Sequence, residues 1–131
     1  MTTSLSIGAL AKASGLSAHT LRYYERVGIL QPADRTPAGH RLYRAEDFAW
    51  LEFVLRLKAT GMPLADIRRY AELRGAGSRS LGTRLIMLQG HRRSLRAHMA
   101  DLSRNLAALE VKIRAYRRMI ATARQKRKEP Q

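Results

Sequence analysis

The second half of this sequence carries an unbroken heptad pattern, and nothing else in it restricts the fold so strongly. Leu81, Leu85, Leu88, Arg92, Leu95, Met99, Leu102, Leu106, Leu109, Ile113, Tyr116, Ile120 and Ala123 follow one another at alternating steps of four and three. Only Arg92 in this series is polar. Such spacing keeps every member on one seam of an α-helix, provided the helix winds against a partner. At about 1.5 Å per residue the helix is on the order of 60 Å long. A lone helix would leave the stripe in water, and the roughly 75 residues before it are too few to cover it. The expected solution is a homodimer, with the apolar members from Leu81 to Ile120 as its seam.

Charge sharpens the division between the halves. The 131-residue chain has a formal net charge of +15. Residues 1–74 carry 11 basic and 7 acidic groups, a net of +4, whereas residues 75–131 carry 14 and 3, a net of +11. Such an excess points to a polyanion, either nucleic acid or an anionic membrane surface, rather than to a neutral metabolic substrate. Hydrophobic residues make up 45% of the chain, so there is material for a core. With no cysteine, disulfides, thiolate metal sites and cysteine nucleophiles are excluded. No run approaches the roughly 18 apolar residues of a membrane span, and residues 1–6 lack the pattern of a signal peptide. A cytoplasmic, nucleoid-associated protein is expected.

The boundaries follow from composition. Residues 1–74 form one domain, 75–80 a linker beginning Gly75-Ala76-Gly77-Ser78, 81–125 the dimerisation helix, and 126–131 a basic tail. Within the first domain, Ser6 caps a helix over Ile7–Ser14 that Gly15 stops. Ser17 caps a second, Ala18–Val27, that Gly28 stops. So short a Gly-containing connection is the mark of a helix-turn-helix. Residues 31–43, broken by Pro32, Pro37 and Gly39, read as a loop and small β-hairpin, with His40–Tyr43 as one strand. A third helix runs over Ala45–Thr60, with Phe48, Leu51 and Val54 or Leu55 inward. A fourth begins at Pro63 and buries Leu64, Ile67 and Tyr70 or Ala71.

Helical spacing places His19, Arg22, Tyr23 and Arg26 on one face of the second helix. Leu21 lies opposite and Tyr24 at the edge. Arg reads guanine or phosphate, and a Tyr hydroxyl bonds phosphate, so this face suits a major groove. A solvated amphipathic helix would look similar. The hairpin adds Arg41, Tyr43 and Arg44, suited to a flanking backbone. Lys58, late in the third helix, is by composition alone a solvated lysine, or else another phosphate contact.

Four segments carry a resemblance. They are Ile7-Gly8-Ala9-Leu10-Ala11, Thr20-Leu21-Arg22-Tyr23-Tyr24-Glu25-Arg26-Val27-Gly28-Ile29-Leu30, Gly39-His40-Arg41-Leu42-Tyr43 and Leu57-Lys58-Ala59-Thr60-Gly61-Met62-Pro63-Leu64. At this spacing the chain resembles the MerR family of bacterial transcription regulators over about residues 5–74. The resemblance implies a mainly α fold: a winged helix-turn-helix followed by a long helix in an antiparallel coiled-coil homodimer. It implies binding to a near-palindromic operator in double-stranded promoter DNA whose spacer between the −35 and −10 elements is long. Bending and untwisting that spacer would let RNA polymerase engage both elements, an indirect partnership. By position, Arg22, Tyr23 and Tyr24 match recognition-helix contacts, Arg41 and Tyr43 wing contacts, and Lys58 a phosphate contact. The branch that senses aldehydes and electrophiles is the most similar, yet Arg56 stands about where its cysteine would be. The cysteine chemistry of the family's metal sensors is absent too.

Other features imply less. His91 and His98 share a heptad position and read as solvated; no metal site or cofactor is expected. In an antiparallel pairing centred near Leu102, Arg92 would meet the partner's Glu110. Trp50, Tyr70 and Met87 are candidates to line a small-molecule effector pocket, although an apolar stripe is more often core. No catalytic constellation appears, so an enzyme is not expected. Two rival readings stand beside a regulator. One is a nonspecific, architectural nucleic-acid binder. The other is a basic coiled-coil adaptor for an acidic partner or membrane surface.

Overall fold

The computed structural model describes residues 5–31 and 34–128. The proposed tail lies partly outside that range, as does Pro32 of the loop. In chain order the elements are β1 (Leu5–Ser6), α1 (Ile7–Ser14), α2 (Ala18–Arg26), β2 (Asp34–Arg35), β3 (Arg41–Tyr43), α3 (Ala45–Ala59), α4 (Leu64–Gly75), a 3-10 turn (Gly77–Ser80) and α5 (Leu81–Lys128). The fold is mainly helical, with a helix-turn-helix, a small β wing and one long C-terminal helix.

The helix starts follow from their caps. The Ser6 hydroxyl accepts the Ala9 amide, and the Ser17 hydroxyl accepts the Thr20 amide, each at 3.1 Å. Gly15 ends α1 at φ 75°, where a Cβ would be strained. At the start of α3, the Asp47 carboxylate accepts the Arg44 amide at 2.7 Å.

The sheet has the order β1-β3-β2, antiparallel throughout. Leu5 pairs with Tyr43 and Arg35 with Arg41, so β3 is central. The strand β1 is an addition to the sequence reading. Two residues carry no periodicity, and only pairing with β3 makes them a strand.

Leu10, Leu21, Tyr24, Leu30, Tyr43, Leu51, Val54 and Ile67 are buried to within a few per cent and join α1, α2, β3, α3 and α4, with the partly buried Leu5 of β1 packed against them. In α3 the inward residues are Trp50, Leu51, Val54 and Leu57, with Phe48 and Leu55 only partly covered. Leu64, expected inside, is exposed because it occupies the first position of α4, ahead of the turn that meets the core.

The chain divides into two compact units, Met1–His91 and Arg92–Gln131. The first residues of α5 therefore belong to the first unit, where Met87 and Leu88 pack against its core. Leu88 is accordingly partly occupied within its own chain. Residues 77–80, read as linker, form an ordered turn in which the buried Ser80 hydroxyl bonds the Leu73 carbonyl and accepts from Arg84 Nε at 2.9 Å. His91, expected to be solvated, is partly buried, with Nε2 2.7 Å from the Thr60 hydroxyl. In the second unit Met99, Leu102, Leu106, Leu109, Ile113, Tyr116 and Ile120 are all about half exposed. Among the described residues, no helix is long and apolar enough to cross a membrane.

Candidate nucleic-acid interface

The helix α2 presents two different faces because its apolar residues are few and clustered. Leu21 and Tyr24 point into the core, while His19, Arg22, Tyr23 and Arg26 are exposed. The Arg26 guanidinium lies 5.9 Å from the centre of the Tyr23 ring, close enough for a cation–π contact. The outward set is thus cationic and rich in hydrogen-bond donors.

Tyr24 was expected among the reading residues, but its ring is 2% exposed. It sits instead under Lys58, whose Nζ lies 3.4 Å from the Tyr24 hydroxyl and 5.8 Å from the ring centre. Tyr24 therefore holds a cation at the surface rather than reaching outward itself. Lys58 itself is exposed.

The wing is joined to α2 by a residue the sequence reading passed over. Glu25, with its side chain 10% exposed, accepts from Arg41 Nε on one carboxylate oxygen and from the Tyr43 hydroxyl on the other. Tyr43, expected as a direct wing contact, is completely buried with its hydroxyl on Glu25. Burial pushes its phenol pKa well above the ordinary value, and the hydrogen bond to Glu25 and the charge of that carboxylate push it further. Arg41 keeps 31% of its side chain exposed while paired with Glu25, so only part of its donor set remains for an outside partner. The relevant signal in the sequence was the charge of Glu25 one residue after a buried Tyr, but nothing local shows which wing residues it would meet.

Beyond this clamp the wing is a tight turn. The Thr36 amide donates to the His40 carbonyl and the Gly39 amide to the Thr36 carbonyl, both at 2.8 Å. Gly39 has φ 85°, a conformation open to glycine at little cost. Arg35 and Arg44 are exposed on either side. The frame is fixed from behind by Trp50, whose Nε1 donates to the Ile29 carbonyl at 2.8 Å, and by Arg68, whose Nε donates to the Val27 carbonyl at 3.0 Å.

Trp50 and Tyr70, candidates for a pocket, are core. Their rings stack with centres 5.6 Å apart and planes 9° from parallel, and Arg74 covers Trp50 at 4.6 Å. A shallow groove of about 230 Å³ lies elsewhere, between α1 and α3, with Phe48, Leu55 and Arg56 in its lining.

Comparison with known proteins agrees with this geometry. Residues 5–73 match the family described as MerR HTH family regulatory protein, and residues 48–112 match the one described as MerR, DNA binding. The chain belongs to the MerR family. It is a MerR-type DNA-binding transcriptional regulator. An uncharacterized HTH-type transcriptional regulator from Haemophilus influenzae is 35% identical over 108 residues, covering 82% of this chain and 80% of that protein. Among solved structures, a putative MerR family transcriptional regulator from Listeria monocytogenes aligns with a TM-score of 0.87 at 31% identity, over 95% of this chain and 94% of that one. HiNmlR, described as a MerR family regulator lacking the sensor domain and bound to promoter DNA, aligns with a TM-score of 0.79 at 33% identity, over 91% and 94%.

Proposed function

We propose that the protein binds a near-palindromic promoter operator as a homodimer and activates transcription by bending and untwisting a long spacer. The observation that carries this reading is the clamp of Glu25 on Arg41 and Tyr43. It makes the exposed face of α2 and the wing one rigid surface, so that groove and backbone contacts are presented in a fixed relation. In this reading Arg22, Tyr23, His19 and Arg26 face the groove. Arg41 and Lys58 meet phosphates. Tyr24 and Tyr43 position those cations from beneath. A fixed reader can place strain in the DNA rather than absorb it, which is what distortion of a spacer requires.

Dimerisation supplies the second half-site. The half-exposed stripe of α5 supports it, because so much apolar surface is not stable in water alone. The working division of the chain is a DNA-binding domain over 1–74, a short connection, and a dimerisation helix over 81–125. The promoter-DNA complex of HiNmlR supports the choice of partner, and a cytoplasmic location goes with it. RNA polymerase enters only through the reshaped promoter.

Nuclease footprinting on genomic fragments selected by the protein tests the reading. Protection of one short inverted repeat, with enhanced cleavage at its centre, is the expected result. Uniform coverage would establish the architectural alternative instead.

A further inference from the structure

The operator-reading residues account for little of the protein's charge, and the larger share lies in α5. Residues 112–128 carry eight Lys or Arg and no Asp or Glu. All eight are exposed, and among the described residues of α5 the side-chain ion pair is Asp101–Arg104, outside this segment. The segment spans about 24 Å, a cation for roughly every 3 Å of helix. Duplex DNA carries one phosphate per roughly 1.7 Å of axis, so the two densities are of the same order.

The distribution of these cations matters as much as their number. Ile113, Tyr116, Ile120 and Ala123 continue the apolar stripe. Arg114, Arg118 and Lys128 lie well away from that stripe by helical spacing, and Arg117 and Arg124 flank it. Covering the stripe by a second copy therefore leaves a basic face outward. Insertion into a membrane interface would need the stripe itself, which the proposed dimer consumes, so a membrane would hold this face by charge alone.

We infer that this face of α5, over residues 112–128, is a second DNA-contacting surface, one that binds phosphates of the duplex outside the operator without reading sequence. The inference rests on the operator reading above. Once the recognition unit is seated, neighbouring phosphates are held at high effective concentration, so weak individual contacts add to affinity. Five of the eight cations are arginines, whose forked donors suit phosphate oxygens.

The test uses the full-length protein and a duplex that it selects from a randomised pool. That duplex is prepared trimmed to the inverted repeat, and also extended by about two helical turns on each side. The wild-type chain should bind the extended form at least about tenfold more tightly at low salt, with a log–log salt slope steeper by about 2–4. A chain carrying Arg114→Gln, Arg117→Gln, Arg118→Gln and Arg124→Gln should bind the trimmed duplex as the wild type does and show no gain from the flanks. Equal wild-type affinity and slope for both duplexes overturns the inference, as does a variant that keeps the full gain. Should the substituted chain fail to dimerise, the wild-type comparison decides alone. Binding to anionic vesicles or an acidic polypeptide without any flank effect assigns the face to another partner and also overturns it. A selection that yields no shared sequence defeats the operator reading itself, which is a distinct result.

Discussion

Glu25 ties the exposed helix α2 to the wing through a single carboxylate. It neutralises Arg41, satisfies the buried hydroxyl of Tyr43, and does both from the helix that carries Arg22 and Tyr23. Glu25→Ala leaves the Tyr43 hydroxyl unpaired inside the protein, at a cost of about 1–3 kcal/mol in stability. It also frees the wing, so operator affinity should fall about tenfold or more even where the protein remains folded. Denaturant unfolding beside binding isotherms at a permissive temperature separates the two effects. Unchanged affinity in a folded variant would mean that the wing is held by other contacts. Tyr43 supplies a pH prediction. Its folded pKa lies above the ordinary value of 10, so the neutral phenol's contribution is complete below pH 10 and is lost as pH climbs through the raised folded value. Ultraviolet titration should show one tyrosine ionising late, only as the protein unfolds. Tyr43→Phe should remove that late step.

Among the elements, those built on local rules could be read from the sequence alone. Ser6 and Ser17 announce α1 and α2, Gly15 closes the first, and the heptad pattern announces α5. What escaped was set by distant partners. The strand β1 exists because Leu5 meets Tyr43. Tyr24 and Tyr43 point inward because the core takes their rings, although Tyr24 directly follows the exposed Tyr23. His91 finds Thr60, thirty-one positions away in sequence, which no periodicity encodes. The exposure of the candidate cations was thus legible in the sequence, and the contacts of the residues beneath them were not. For α5 the stripe makes a direct prediction. Leu102→Asp puts a charge into the proposed seam, and sedimentation should show a monomer at concentrations where the wild type is dimeric. A variant that remains dimeric would place the interface elsewhere. A double-mutant cycle on Arg92 and Glu110 tests the register, with a coupling of about 0.5–1 kcal/mol or more expected for an antiparallel pair centred near Leu102.

At the scale of the whole molecule, the proposed dimer and the proposed phosphate contacts make opposite predictions for added salt. In the proposed dimer two copies of α5 bring together helices with Asp101 and Glu110 as their main acids among many arginines, so like-charge repulsion should strain the free dimer. Screening should relieve this, raising the midpoint of thermal unfolding as salt increases. The same salt should weaken DNA binding steeply, because phosphate contacts release counterions. A free dimer that loosens with added salt would show that attractive ion pairs, not repulsion, govern the helix pairing.

The central claim is that sequence-specific DNA binding resides in the exposed face of α2. It is tested most directly by measuring affinity for the selected operator with Arg22→Ala, Tyr23→Ala protein whose dimer is confirmed by sedimentation. The account predicts an intact dimer whose operator affinity has fallen to the level of random-sequence duplex, a loss of at least about a hundredfold. A doubly substituted dimer that still protects the same inverted repeat with wild-type affinity would contradict it.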